Sequence, residues 1–101
     1  MTSSQRKVVN DSKSKRRRVD FSLDSPDADS VFLAGDFNAW DRRAHPMKKS
    51  ENGVWQKAMM LFPGRYEYRF LVDDQWVNDL QNPETCPNCF GTLNNVITVS
   101  A

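Results

Sequence analysis

The stretch that most limits the possible folds is RYEYRFLV, residues 65–72. Tyr66, Tyr68, Phe70 and Val72 alternate with Arg65, Glu67, Arg69 and Leu71. Successive side chains of an extended chain point to opposite faces, so the pattern predicts a strand with one aromatic, core-facing side. The period recurs along the chain. Val19, Phe21 and Leu23 alternate with Asp20, Ser22 and Asp24, and Val31, Leu33 and Gly35 with Phe32 and Ala34. VWQKAMML (54–61), QWVN (75–78) and NVITV (95–99) complete the set. Turn formers separate these runs: Pro26-Asp27, SENG at 50–53, FPG at 62–64 and Asp73-Asp74. Turns recur roughly every ten residues and no segment fits a helical period, which predicts an all-β, antiparallel sandwich or barrel.

A chain of 101 residues supports one small domain. The charge is unevenly placed. Arg6, Lys7, Lys13, Lys15, Arg16, Arg17 and Arg18 face a single acid, Asp11, and the remainder of the chain is acidic. Residues 1–17 are polar and aperiodic, so they are expected to be a disordered basic tail, with residues 18–101 as the folded domain. Such a tail is a possible contact for nucleic acid, but a solvated leader is the simpler reading, and no nucleic-acid partner is expected. No apolar run approaches the roughly 20 residues of a membrane helix, and the first residues carry no apolar signal region. The expectation is a cytoplasmic protein with reduced thiols and no membrane partner.

The inventory of reactive groups argues against an enzyme. Asp36, Asp41, Asp73, Asp74, Asp79 and Glu84 are scattered through turns. Glycosidase chemistry needs two carboxyl groups held across a cleft, and a small sandwich offers little depth for one. There is no phosphate-binding glycine loop and no Ser-His constellation. His45 is the only histidine and reads as a solvated or turn residue. Cys86 and Cys89 form a C-x-x-C. A structural zinc site needs four ligands, and only His45 could supply a third nitrogen or sulfur. A redox pair of this spacing normally opens a helix, and nothing after Cys89 reads as helical. No metal and no cofactor are expected.

Two tryptophans stand apart from the core pattern. Trp55 lies among apolar neighbours and is assigned to the core. Trp40 instead ends the polar, turn-rich GDFNAW, and Trp76 follows a turn in DDQWVND. An exposed indole is a flat apolar platform on which the C–H face of a pyranose can lie, while hydroxyls need donors and acceptors around it. Arg69, on the outward face of its strand, offers a fork of donors, and Thr92, Asn94 and Asn95 offer hydroxyl and amide groups. The same equipment suits a protein interface, and the residues alone leave both open.

VFLAGDFNAWD, GVWQKAMMLFPGRYEYRFLVDDQWVND and FGTLNNVITV, taken in that order, closely resemble carbohydrate-binding module family 48. This is the glycogen-binding module of the AMP-activated protein kinase beta subunit and of the N-terminal region of glycogen branching enzymes and isoamylases. The resemblance runs from about residue 18 to residue 99. It implies an immunoglobulin-like, early-set β-sandwich that binds α-1,4-glucan and catalyses nothing. It implies platform roles for Trp40 and Trp76, a basic contact at Arg69, a polar loop containing Thr92 and Asn94, and an apolar contact at Phe90. Trp40 and Trp76 are then expected to flank one shallow surface with Arg69 between them and Thr92 and Asn94 on the rim. The implied partners are glucan polymer and a glycogen-metabolising enzyme or kinase. The chain departs from bacterial members in its last loop, where Leu80 and Cys89 stand in place of prolines and Cys86 in place of a common valine. The cysteines thus read as substitutions inside a ligand loop. A protein-interaction module of the same fold that has lost sugar binding is the competing expectation.

Overall fold

The computed structural model describes residues 15–101. The expected disordered tail therefore lies outside the described residues over positions 1–14. Eight strands follow: β1 (Arg17–Asp24), β2 (Val31–Gly35), β3 (Lys48–Lys49), β4 (Val54–Leu61), β5 (Gly64–Val72), β6 (Gln75–Val77), β7 (Thr85–Pro87) and β8 (Leu93–Val99). A single 3-10 turn, Asp36–Asn38, follows β2. No α-helix occurs among the described residues, and no helix there is long and apolar enough to cross a membrane. The strands pair antiparallel into a three-stranded sheet, β1-β4-β3, and a larger sheet, β2-β5-β8-β7, with β6 added to β5. The protein is an all-β, immunoglobulin-like sandwich.

The inward side of each strand is the apolar side that period two predicts. Phe21, Val31, Leu33, Met47, Trp55, Leu61, Tyr68, Phe70 and Val99 form one buried cluster, with Val19, Leu23, Tyr66, Val72 and Ile97 packed against it. Trp55 is buried as expected, and its indole N–H is satisfied by the Ser25 carbonyl at 2.8 Å. Phe21 meets Tyr68 edge-on at 4.9 Å between ring centroids, which ties the two sheets together.

Several boundaries differ from the sequence reading. Strand β1 opens at Arg17, one residue inside the expected tail, and the Arg16 guanidinium lies 4.9 Å from the centre of the Phe62 ring. Strands β3 and β7 were not expected. Each is two or three residues long, too short to display a period, and each exists only because a longer strand offers it an edge: Lys48–Lys49 pairs with β4, and Thr85–Pro87 with β8.

Strand β5 organises the sheet that carries the candidate site. Strand β2 pairs with Tyr68 to Val72, while β8 pairs with Gly64 to Tyr68 and β6 with Phe70 to Val72. Because β2 occupies one edge, β8 and β6 share the other. Trp76 stands opposite Leu71 and Asn94 opposite Cys86. The outward parity of β5 therefore gathers Trp76, Arg69, Glu67, Asn94 and Cys86 on one open face.

Candidate functional site

Trp40 reaches this face through a tightly determined turn. Gly35 ends β2 where backbone closes on backbone: a Cβ there would sit 2.5 Å from the Glu67 carbonyl oxygen and 2.9 Å from the Tyr68 Cβ. Only glycine fits so close an approach. Ala39 and Trp40 then adopt left-handed backbone, at φ 56° and 59°. Two side chains hold them there. The Asp36 carboxylate accepts the Trp40 indole N–H at 3.0 Å and the Glu67 backbone N–H at 2.8 Å. The Asn38 carbonyl oxygen accepts the Gly35 N–H at 3.1 Å, and its amide donates to the Leu33 carbonyl at 3.0 Å. That orientation leaves the Asn38 amide facing His45 Nδ1 at 2.8 Å, so Nδ1 must accept and the proton of neutral His45 must be on Nε2. His45 is thus half-buried with a defined partner. Burial and then the Lys57 charge lower its pKa, with Asp41 opposing.

Trp76 arrives on the return strand of a two-residue hairpin, whose Asp73 and Asp74 both have positive φ, 45° and 68°. Asp73 also accepts the Asp29 and Ser30 amides at 3.0 and 2.9 Å, which fastens the hairpin to the loop before β2. The Trp40 and Trp76 rings meet edge to face, with centroids 6.0 Å apart and planes at 70°. Arg69 does not separate them, contrary to expectation. The turn after β2 and the β5-β6 hairpin bring the two indoles into contact, and Arg69 lies to the side with its guanidinium 5.8 Å from the Trp76 centroid. A second guanidinium, that of Arg42, lies 5.7 Å from the same ring.

Arg69 connects the aromatics to the last loop. It donates to Thr92 Oγ1 at 3.2 Å and to Asn78 Oδ1 at 3.4 Å, and its buried Nε has no partner. Thr92 is exposed. Asn94 is placed differently from the rim position expected of it. It is buried, with its amide donating to Glu67 at 3.0 Å and its oxygen accepting from Asn88 at 3.0 Å. That donor, then the Cys86 thiol and Arg65, lower the Glu67 pKa. Asn95 is fully buried and has no capacity left for a ligand. Its oxygen accepts from Asn78 and the Asp79 N–H, and its amide donates to the Asp79 and Asn82 carbonyls. It anchors the segment after β6 together with the Tyr68 hydroxyl, which donates to Asp79 and accepts from Asn82. Burial raises the Tyr68 pKa, so that hydroxyl keeps its proton.

Asn88 is the residue that the sequence reading missed. Its oxygen accepts the backbone N–H groups of Phe90 and Thr92 at 2.9 and 3.1 Å. Its amide donates to Thr92 Oγ1 at 2.8 Å as well as to Asn94. One side chain therefore sets the whole loop. Its only trace in the sequence is an Asn with a glycine three residues later, Gly91, which takes φ 80°. Phe90, at the loop tip, is 86% exposed, with Leu80 at 91% and Leu93 at 46% also presenting apolar surface. Cys86 and Cys89 are both free. Burial and neighbouring Glu67 raise the Cys86 pKa, which favours the unreactive thiol. Among the described residues no three His, Cys, Asp or Glu side chains converge as metal ligands.

A family model described as the glycogen recognition site of AMP-activated protein kinase matches residues 19–101. The chain is 40% identical over 73 residues to Protein PTST homolog 2, chloroplastic, of Arabidopsis thaliana, covering 72% of this chain and 13% of that one. It is 35% identical over 92 residues to 5'-AMP-activated protein kinase subunit beta-1 of Sus scrofa, covering 90% of this chain and 71% of the relative. Its fold matches the crystal structure of maltogenic amylase from S. marinus with a TM-score of 0.74 at 22% identity, over 88% of this chain and 14% of that one. The chain thus spans about an eighth of the plant relative, most of the pig relative and a small part of the amylase.

Proposed function

This chain belongs to the family of AMP-activated protein kinase glycogen recognition sites, and from that membership we propose that it binds α-1,4-linked glucan without transforming it. The observation that carries the reading is the joining of Trp40, Trp76, Arg69 and Thr92 on one open face. Two indoles meeting at 70° form a bent apolar platform, suited to the curvature of an α-linked glucan helix. Sugar rings would stack there, with Arg69 and Thr92 hydrogen-bonding the hydroxyls, Asn94 and Asn88 holding the loop, and Phe90 pressing against the chain from the tip. The energy should be concentrated in the stacking residues.

A titration with maltoheptaose or β-cyclodextrin, followed by NMR, tests this. Shifts should converge on Trp40, Trp76 and the loop at 88–94. Trp76→Ala should cost roughly 1.5–3 kcal/mol, about the value of burying a large apolar side chain, which is tenfold or more in affinity. A folded Trp76→Ala that binds as tightly as wild type would refute the proposed face. The competing reading is a protein-interaction module, favoured by the exposed Phe90, Leu80 and Leu93. It predicts no shifts with either sugar. A kinase or glycogen-metabolising enzyme as partner belongs to the same proposal, and so does a cytoplasmic location. The plant relative is named chloroplastic, and cell fractionation decides between the two compartments.

A further inference from the structure

We propose that this face prefers an α-glucan bearing a phosphate monoester on a sugar next to Trp76, with Arg42 and Arg69 as its two cationic contacts. The inference rests on the glucan reading above and adds a ligand class to it. Two guanidinium groups lie within 6 Å of one indole, Arg42 at 5.7 Å and Arg69 at 5.8 Å from its centroid. Neither has a carboxylate. The ion pairs among the described residues are Arg18–Asp20 and Arg65–Glu67, both elsewhere.

Four acids around the face are turned to other donors. Asp36 accepts from Trp40 and the Glu67 backbone. Glu67 takes Arg65 and Asn94, Asp41 takes the Arg43 backbone N–H, and Asp79 takes Tyr68. A neutral sugar needs no second cation to fix its hydroxyls, whereas an anionic group carried by a sugar at Trp76 can draw on both. A planar guanidinium fork matches phosphate oxygens two at a time, and Arg69 now holds only long contacts of 3.2 and 3.4 Å that an anionic oxygen would improve on. An α-1,4-glucan has no carboxylate of its own, so an ester on a hydroxyl is the simplest source of the charge.

Calorimetric titration of the full chain with maltoheptaose, with the same oligosaccharide carrying one phosphate monoester, and with inorganic phosphate tests the proposal. The phosphorylated sugar should bind about tenfold more tightly than the neutral one at low salt, as two charge-assisted contacts allow. That advantage should shrink as ionic strength rises. Arg42→Gln, on an exposed turn, should bring the ratio of the two affinities close to one. A ratio near one in wild type, with neutral sugar still bound, overturns the proposal and leaves the glucan reading standing. Loss of binding to both sugars overturns the glucan reading itself. Inorganic phosphate binding as tightly as the phosphorylated sugar also overturns the proposal, since the site would then recognise a free anion.

Discussion

Asn88→Ala should loosen the candidate loop and destabilise the domain, although Asn88 supports the loop and the sugar contacts proposed above fall to its neighbours. The side chain makes four kinds of contact: to the Phe90 and Thr92 amides, to the Thr92 hydroxyl, and to the Asn94 oxygen. The first three lie in solvent, where water can replace them at small net cost. The fourth does not. Asn94 is 7% exposed, and its oxygen would lose the one donor that reaches it from Asn88. Leaving a buried acceptor unpaired costs about 1–3 kcal/mol, so that is the loss expected in urea unfolding. For a domain this small, each kcal/mol lowers Tm by about 4–8 °C. Thr92 and Phe90 would no longer be held for ligand, and maltoheptaose affinity should fall about tenfold, a contribution near that of one well-placed polar anchor. Asn88→Asp separates the causes. It keeps an acceptor for the two amides but turns a carboxylate toward the Asn94 oxygen, so it should be at least as unstable as the alanine variant. If Asn88→Ala unfolds at the wild-type urea midpoint and binds maltoheptaose equally well, the loop is not organised by this residue.

Other positions give independent tests. Gly35→Ala forces a Cβ to within 2.5 Å of a backbone oxygen that cannot swing away. It should cost about 1–3 kcal/mol or more and move the Trp40 resonances in NMR spectra. Trp55→Ala empties a core site and removes the donor to Ser25. A loss of about 3–5 kcal/mol is expected, seen as an unfolded or barely folded chain by circular dichroism. His45 should make stability depend on pH. Its folded pKa is lowered from 6.5, chiefly by burial, so its contribution is complete above that value and is lost as pH falls through and below it. A proton on Nδ1 would also set donor against donor at Asn38. Thermal melts across about pH 7 to 5 should fall more steeply for wild type than for His45→Gln, and parallel curves would exclude this origin.

Alternation alone identified the inward faces, because it is a local property of extended backbone. Tyr68, Phe70, Leu33 and Phe21 are buried where the period put them. Arg69 was legible as an outward residue for the same reason, Trp76 from its place just past a turn among polar residues, and Asp73-Asp74 as a turn from its turn-forming residues. Trp55 followed from its apolar neighbours. The resemblance added which outward residues to consider together. What no local pattern could show is which outward residues meet, since that depends on strand order and register. Trp40 touches Trp76 because β2 and β6 flank β5 on opposite edges and the Gly35 turn folds back over the sheet. The fates of the loop asparagines were hidden as well. In sequence, Asn88, Asn94 and Asn95 are equivalent amides in a polar loop. In the fold, one organises the loop, one is buried against Glu67, and one is fully enclosed beneath the segment after β6. An amide has two donors and an acceptor to satisfy, and partners distant in the chain decide whether any remain for a ligand. Only the packed tertiary structure brings those partners within reach.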